Sequence, residues 1–349
     1  MQHEDAPEGY DVPRVEEWIQ KNIPSLAPPF KWKRLEGGHS NLTYLLTDTA
    51  GTVAVIRRPP RGELLPKAHD MGREWAIISA LGPTAVPVAP ALGFCESPEV
   101  TGAHFYVMGH VEGKALYTAE DTLAWVPAER REILAWSFFD VLADLHALDP
   151  DAIGLGDLGK KENYIGRQLK TWYRSWTSSC EAAEFDDPRA HELQRFLAEN
   201  IPEQGPARVV HGDYGLHNCL IGADSRIAAV LDWEISTLGD PLADLAYALN
   251  QWVLPDDENP VKPGTGSSVP GMPAREVLAA RYAARTGRDI AGLDFYIGFN
   301  WWKSAMIIHG VYARYLAGKK STDGVDLDDI RARIERSLDQ AVAAINRIR

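Results

Sequence analysis

The sequence predicts an α+β protein in two lobes, a small antiparallel-sheet lobe followed by a larger, mainly helical one. Three observations carry this. Strand-like alternation is confined to the first third of the chain, helical periodicity fills most of the rest, and one compact strand–loop–strand unit at 208–233 is embedded among the helices. At 349 residues the chain has room for two such lobes. The boundaries expected are an N-terminal lobe over 1–108, a hinge at 109–113 and a C-terminal lobe over 114–349.

Residues 12–24 read as an opening helix, with Val15, Trp18 and Ile19 on one face and Pro24 ending it. From Lys31 to Arg57 the period drops to two: Leu42, Tyr44 and Leu46 alternate, Asp48 to Gly51 turns the chain, and Val53 to Ile56 forms the next strand. Pro and Gly make a loop of 58–66, and a helix follows over 68–81. Two more strands are expected at 89–96 and 104–111, the second ending at Gly113. Beyond it Ile133, Leu134, Phe138, Leu142 and Leu145 mark a helix over 128–147. Further helices are expected near 162–180, 188–200 and 240–252. Residues 255–273, rich in Pro, Gly and Ser, read as a loop long enough to be a mobile flap. Leu327, Ile330, Ile334, Leu338, Val342 and Ile345 form an amphipathic C-terminal helix expected to pack on its own lobe, dimerisation being the other reading.

Lys and Arg number 36 and Asp and Glu 49, a net charge of −13, which argues against a nucleic-acid binder. The three cysteines, Cys95, Cys180 and Cys219, show neither disulfide-framework nor zinc-ligand spacing. No run approaches the length of a membrane span, and the acidic N-terminus is unlike a signal peptide. A cytoplasmic protein is expected, a monomer or homodimer, working without membrane or nucleic acid.

The chemistry concentrates in Val209-Val-His-Gly-Asp-Tyr-Gly-Leu-His-Asn-Cys-Leu-Ile221, a polar loop bracketed by apolar strands. Asp213 and Asn218 lie within it, and Asp232 ends a second apolar run, Ile227 to Leu231, so strand ends deliver all three to one point. Phosphoryl transfer needs such a set: a carboxylate to orient an acceptor hydroxyl, and an amide oxygen with a second carboxylate to hold Mg2+. A dinuclear phosphatase cluster of His211, Asp213, His217 and Asp232 would need further His and Asp ligands early in the chain, and none stands in that context.

His211-Gly-Asp-x-x-x-x-Asn218 followed by Asp232-Trp-Glu resembles the aminoglycoside phosphotransferase family of kinase-like small-molecule kinases. The string Asp232 to Tyr247, together with Gly37 to Tyr44 and His309 to Arg314, is similar to one branch of it. That branch holds the N-terminal kinase domains of acyl-CoA dehydrogenase family members ten and eleven and stand-alone bacterial relatives. The resemblance covers roughly 30–320. It implies a protein-kinase-like fold, with ATP between the lobes and Mg2+ as cofactor. Asp213 would be the catalytic base in the loop 209–221, and Asn218 and Asp232 (in the motif 231–234) the metal ligands. His211, Asp240 and Asp244 would support the loop.

In the N-terminal lobe, Ser40 and Asn41 belong to a turn, 36–41, suited to phosphate oxygens or to a plain hairpin. Arg57 stands where the family has a lysine. Its planar fork can clamp phosphate oxygens, and Glu74 is its expected partner. Backbone groups of Gly109 and Val111 would pair with adenine, with Met108 beside it. The replacement of lysine by Arg57 keeps a catalytically weak, ligand-binding scaffold as an alternative.

Signals for the acceptor are weaker. Trp172, Tyr173 and Trp176 on one helix, and Trp301 and Trp302 on another, fit either an aromatic pocket or plain helix packing. Lys303 and His309 replace an Arg and a Gln of the branch pattern and are expected to bear on acceptor recognition. The branch implies a small-molecule acceptor hydroxyl on a hydroxyacyl-CoA or hydroxy acid. The wider family implies aminoglycosides, which the acidic runs Glu181 to Asp187 and Asp256 to Glu258 would suit.

Overall fold

The computed structural model describes residues 7–35, 41–61 and 70–348. The first part holds α1 (Val12–Asn22), β1 (Lys31–Arg34), β2 (Leu42–Thr47), β3 (Val53–Arg58), α2 (Met71–Leu81), β4 (Ala91–Cys95), the single turn α3 (Pro98–Thr101) and β5 (Phe105–Gly109). The strands form one antiparallel sheet in the order β1-β2-β3-β5-β4. The two-residue period fixes its register: Leu42, Tyr44 and Leu46 all point into the core with Val15 and Ile19 of α1. Asp48 makes the turn by accepting from the amides of Ala50 (2.8 Å) and Thr52 (2.7 Å).

The second part comprises α4 (Ala119–Trp125), α5 (Arg131–Ala147), α6 (Tyr164–Ala183), α7 (Pro188–Glu199), β6 (Arg208–Val210), β7 (Cys219–Ile221), β8 (Ile227–Val230), β9 (Thr237–Gly239), α8 (Pro241–Gln251), α9 (Arg275–Thr286), α10 (Leu293–Leu316) and α11 (Leu327–Asn346). The bilobal α+β reading therefore stands. One apolar core joins α2, β5 and α5 to the loop and strands at 209–238, and another joins α6, α7, α10 and α11. The amphipathic face of α11 packs on α10 within the same chain; Gly298 permits the approach, since a Cβ there would meet Ile345 Cδ1 at 2.9 Å. No helix among the described residues is long and apolar enough to cross a membrane.

Five features depart from the sequence expectation. The unit at 208–233 is two separate ribbons, because β6 pairs with β9 and β7 with β8. β9 is only Thr-Leu-Gly, too short to carry a periodic signal. Helix α4 is specified by its Thr118–Asp121 capping box rather than by an apolar stripe. Helix α9 buries only Leu278, Ala279 and Tyr282, so its small residues dilute the pattern. The helix over 128–147 begins as a 3-10 turn at 128–130.

The loop 255–273 has no helix or strand, yet it is strapped down along its length. Thr122 Oγ1 donates to Gly266 O (2.6 Å), Ser267 Oγ to Val253 O (3.0 Å), Arg131 to Pro270 O (2.8 Å) and Arg336 to Val261 O (3.2 Å). These bonds make it a fixed wall of the helical lobe rather than the mobile flap its composition suggests.

Candidate active site

The chain reverses between β6 and β7 at Gly212, whose φ of +86° lies in the left-handed region open to glycine. Both arms of the reversal are held by Asp244 of α8. Its carboxylate accepts from the amides of His211 (2.6 Å) and Gly212 (2.9 Å), and His146 Nε2 lies 3.3 Å away. Burial pushes the Asp244 pKa up, but His146, His211 and the Gly212 amide outweigh it and leave it lowered. His211 is buried, with Nε2 2.8 Å from Leu231 O and Nδ1 accepting from the Asp213 amide at 3.3 Å, which sets its tautomer. Asp240 caps α8 through the Leu242 amide (3.0 Å) and accepts from Tyr296 OH (2.7 Å).

Asp213 emerges at the tip of this loop. Asn218 Nδ2 donates to both its carbonyl (2.9 Å) and its Oδ2 (3.0 Å), His217 Nε2 lies 3.6 Å from Oδ2, and Tyr247 of α8 donates its hydroxyl to Oδ1. Burial alone would raise this carboxyl; His217, Tyr247 and His211 more than offset that and hold its pKa down to about 2. The Leu231 amide donates to Asn218 O (2.8 Å), which brings Asp232 beside Asn218. Asp232 has a positive φ of 62°, a conformation that Asp tolerates better than most residues.

From the sheet, Arg57 of β3 reaches across the cleft. Its Nε lies 3.2 Å from Glu74 Oε2 and its Nη2 3.3 Å from Asp232 Oδ1. Burial works against the guanidinium charge, but Tyr106, Glu74, Asp232 and Glu234 raise its pKa. Glu74 is buried and accepts from Tyr106 OH at 2.8 Å; burial, partly countered by Arg57, raises its pKa. Arg73 adds a second tie across the cleft, its Nε donating to Ser236 O at 3.1 Å.

Asn41 is buried just before β2, whereas Ser40 and the rest of the turn 36–40 lie outside the described residues. The Gly109 amide is already bonded to Pro90 O at 2.8 Å, so it is not available to a ligand. Met108 is half-buried beside it, opposite Val55 on β3, and Val111 follows in the irregular segment after β5.

A cavity of 410 Å³ adjoins Asp213, lined by His217 and Tyr247 on one side and by Tyr117, Asn250, Ser267, Trp301, Ser304, Ile307, Ile308, Lys262 and Arg333 around the rest. Of the aromatic residues expected at an acceptor pocket, Trp301 lines this cavity and the others do not. Trp176 stacks on His309 at 3.9 Å, and His309 is further bonded to Ser179 (2.8 Å) and Phe185 O (2.9 Å). Trp302 is buried with Nε1 donating to Ala190 O (3.0 Å), and Trp172 donates to Gln168 (2.8 Å). All four belong to the packing of α6, α7 and α10. Lys303 is buried within electrostatic reach of Asp244 and Asp213, its pKa lowered by burial against their pull, and it does not line the cavity.

Sequence reasoning assigned no role to Tyr247 or His217. The signal for Tyr247 was present: Asp240, Asp244 and Tyr247 recur at i, i+4 and i+7, a polar stripe on an otherwise apolar helix.

A sequence model of the phosphotransferase enzyme family matches residues 31–296. The chain belongs to that family. It is 35% identical over 326 residues to acyl-CoA dehydrogenase family member 11 of Gallus gallus, covering 90% of this chain and 41% of that protein. It is 34% identical over 299 residues to family member 10 of Mus musculus, covering 84% and 27%. The chain thus spans well under half the length of these curated relatives. A crystal structure from Ralstonia eutropha JMP134, described provisionally as an aminoglycoside phosphotransferase, superposes with a TM-score of 0.80 at 30% identity, covering 96% of this chain and 99% of that one. The aminoglycoside phosphotransferase APH(4)-Ia, solved with AMP-PNP and hygromycin B, shares the fold at a TM-score of 0.58 and 19% identity, over 95% and 98% of the two chains. The chain is therefore a member of a family of phosphotransferase enzymes.

Proposed function

We propose that this phosphotransferase moves the γ-phosphoryl group of ATP to the hydroxyl of a hydroxyacyl-CoA or hydroxy acid, with Asp213 facing the acceptor and Asn218 and Asp232 facing Mg2+. The observation that carries the site assignment is the bonding of Asp213. Asn218 commits its amide nitrogen to Asp213, so its amide oxygen is the atom it has to offer a cation, and the Leu231 amide bonded to Asn218 O sets Asp232 close by. That oxygen and the Asp232 carboxylate are hard donors suited to Mg2+, whose remaining positions water and phosphate oxygens complete. When bound, the ion neutralises charge on the transferring phosphates.

A carboxylate held near pKa 2 is a weak base, and phosphoryl transfer accommodates that. Its transition state is loose, so the acceptor hydroxyl needs orientation before it needs deprotonation. Asp213 stays ionised across the neutral range and accepts the hydroxyl proton in line with the phosphate. Arg57, fixed by Glu74, presents a planar cation to the same phosphates.

The lining of the cavity favours an acyl acceptor over an aminoglycoside. No Asp or Glu lines it among the described residues, whereas Lys262 and Arg333 do. A polycation would need carboxylates there. Phosphorylating an acyl hydroxyl converts a poor leaving group into phosphate, which prepares elimination or isomerisation. Mass spectrometry of a panel incubated with Mg-ATP tests the reading: hydroxyacyl-CoAs, the free hydroxy acids and aminoglycosides, each with an Asp213→Ala control. A phosphate gain on the acyl compounds that vanishes in the control is expected. Transfer to aminoglycosides alone would overturn the acceptor assignment.

A further inference from the structure

We infer that Arg333 of α11, with Lys262 beside it, forms an anion-binding end of the cavity that receives a carboxylate or phosphate of the acceptor. This rests on the reading that the cavity beside Asp213 holds the acceptor. Arg333 Nε is buried with no hydrogen-bond partner among the described residues. The other arginines on this stretch of helix have ion pairs: Arg331 with Glu335 at 3.3 Å, and Arg336, whose own Nε is also unbonded, through Nη2 with Asp329 at 3.2 Å, whereas Arg333 has none among the described residues. A half-buried guanidinium that lacks the partners its neighbours have is paired by a ligand or remains a cost to folding.

The layout places this cation away from the chemistry. Tyr247 and His217 mark the Asp213 side. Helix α11 runs antiparallel to α10, because Arg347 pairs with Asp294 and Ile345 packs on Gly298. Counting back from these contacts sets Arg333 level with residues 308–310 of α10. Arg336, one turn from Arg333, holds Val261 O and so brings Lys262 to the same end. From Trp301 to Ile308 the cavity follows seven residues of α10, about 10 Å at 1.5 Å per residue. Trp301, Ile307 and Ile308 make that stretch apolar. The ligand this fits has an anionic head, a short apolar chain and a hydroxyl beyond it.

Unreactive probes separate this inference from the proposed reaction. Titration calorimetry with decanoate, decanoyl-CoA and methyl decanoate needs no turnover, so it stands even if no acceptor is phosphorylated. The wild-type protein is expected to bind decanoate or decanoyl-CoA, and Arg333→Gln to weaken that binding about 10-fold or more. Methyl decanoate should be indifferent to the substitution. Weakened binding of decanoate identifies a carboxylate as the ligand group; weakening confined to decanoyl-CoA identifies a phosphate. Lys262→Gln, at an exposed position of the wall 255–273, repeats the test without touching helix packing and should give a smaller loss of the same sign. The inference fails if the wild-type protein binds neither anionic probe, or if both variants bind them as the wild type does.

Discussion

The catalytic loop and the cavity beside it both rest against α8 and are built on opposite terms. In the loop, the groups that orient Asp213 are bonded to one another: Asp244 holds two amides, His211 bridges Leu231 and Asp213, and Asn218 and Tyr247 fix the carboxylate. In the cavity, Arg333 has a buried donor with no partner among the described residues. A fully bonded loop is preorganised for one reaction, whatever the acceptor. An unpaired cation on an apolar wall defers part of its bonding to the ligand, so recognition can change with few residues while the chemistry stays fixed.

The sharpest way to break this comparison is at Asp213. Asp213→Ala is expected to lower turnover by about 10²–10⁴-fold, the range of a positioned general base, in a steady-state assay. Next comes the buried pair across the cleft. Arg57→Ala leaves Glu74 buried without its countercharge, and chemical denaturation should show a loss of about 3–5 kcal/mol. Trp302 and Trp301 then set packing against lining. Trp302→Ala should cost about 3–5 kcal/mol of stability by emptying a buried site, while Trp301→Ala should mainly raise the acceptor KM.

The smallest expected effect concerns pH. Because the Asp213 pKa is depressed in the folded state, its ionised form contributes stability above the ordinary carboxylate range, and that contribution is lost as pH falls toward about 2. Tyr247→Phe removes one donor and should move this loss, and any acid limb of kcat that Asp213 governs, to higher pH. A pH–rate profile identical in the variant would show that Tyr247 does not tune Asp213.

What could be read from the sequence divides along the same line. Asp213, Asn218 and Asp232 are close in the chain and bracketed by apolar runs, so spacing alone points to their convergence. The small sheet is legible because its alternation leaves one register that buries Leu42, Tyr44 and Leu46. The cavity wall is not. One residue along a helix is a rotation of about 100°, which separates Trp301, lining the cavity, from Trp302, packed under α7. A mixed aromatic helix such as α10, apolar on several sides, gives no period to choose between them. Likewise the Pro- and Gly-rich loop 255–273 carries no signal for the long-range bonds that fix it. For Tyr247 the polar stripe with Asp240 and Asp244 marks the helix face, but its partner Asp213, 34 residues away, is visible only in the fold.

The most direct test of the central claim is a paired measurement on Asp213→Asn: the affinity for Mg-ATP, and phosphate transfer to a hydroxyacyl-CoA in a single turnover. The account predicts nucleotide affinity close to wild type, because Asn218, Asp232 and Arg57 remain, and transfer reduced by orders of magnitude. Transfer at the wild-type rate would contradict the assignment of Asp213. Loss of nucleotide affinity to match the loss of transfer would instead place Asp213 among the groups that hold the nucleotide.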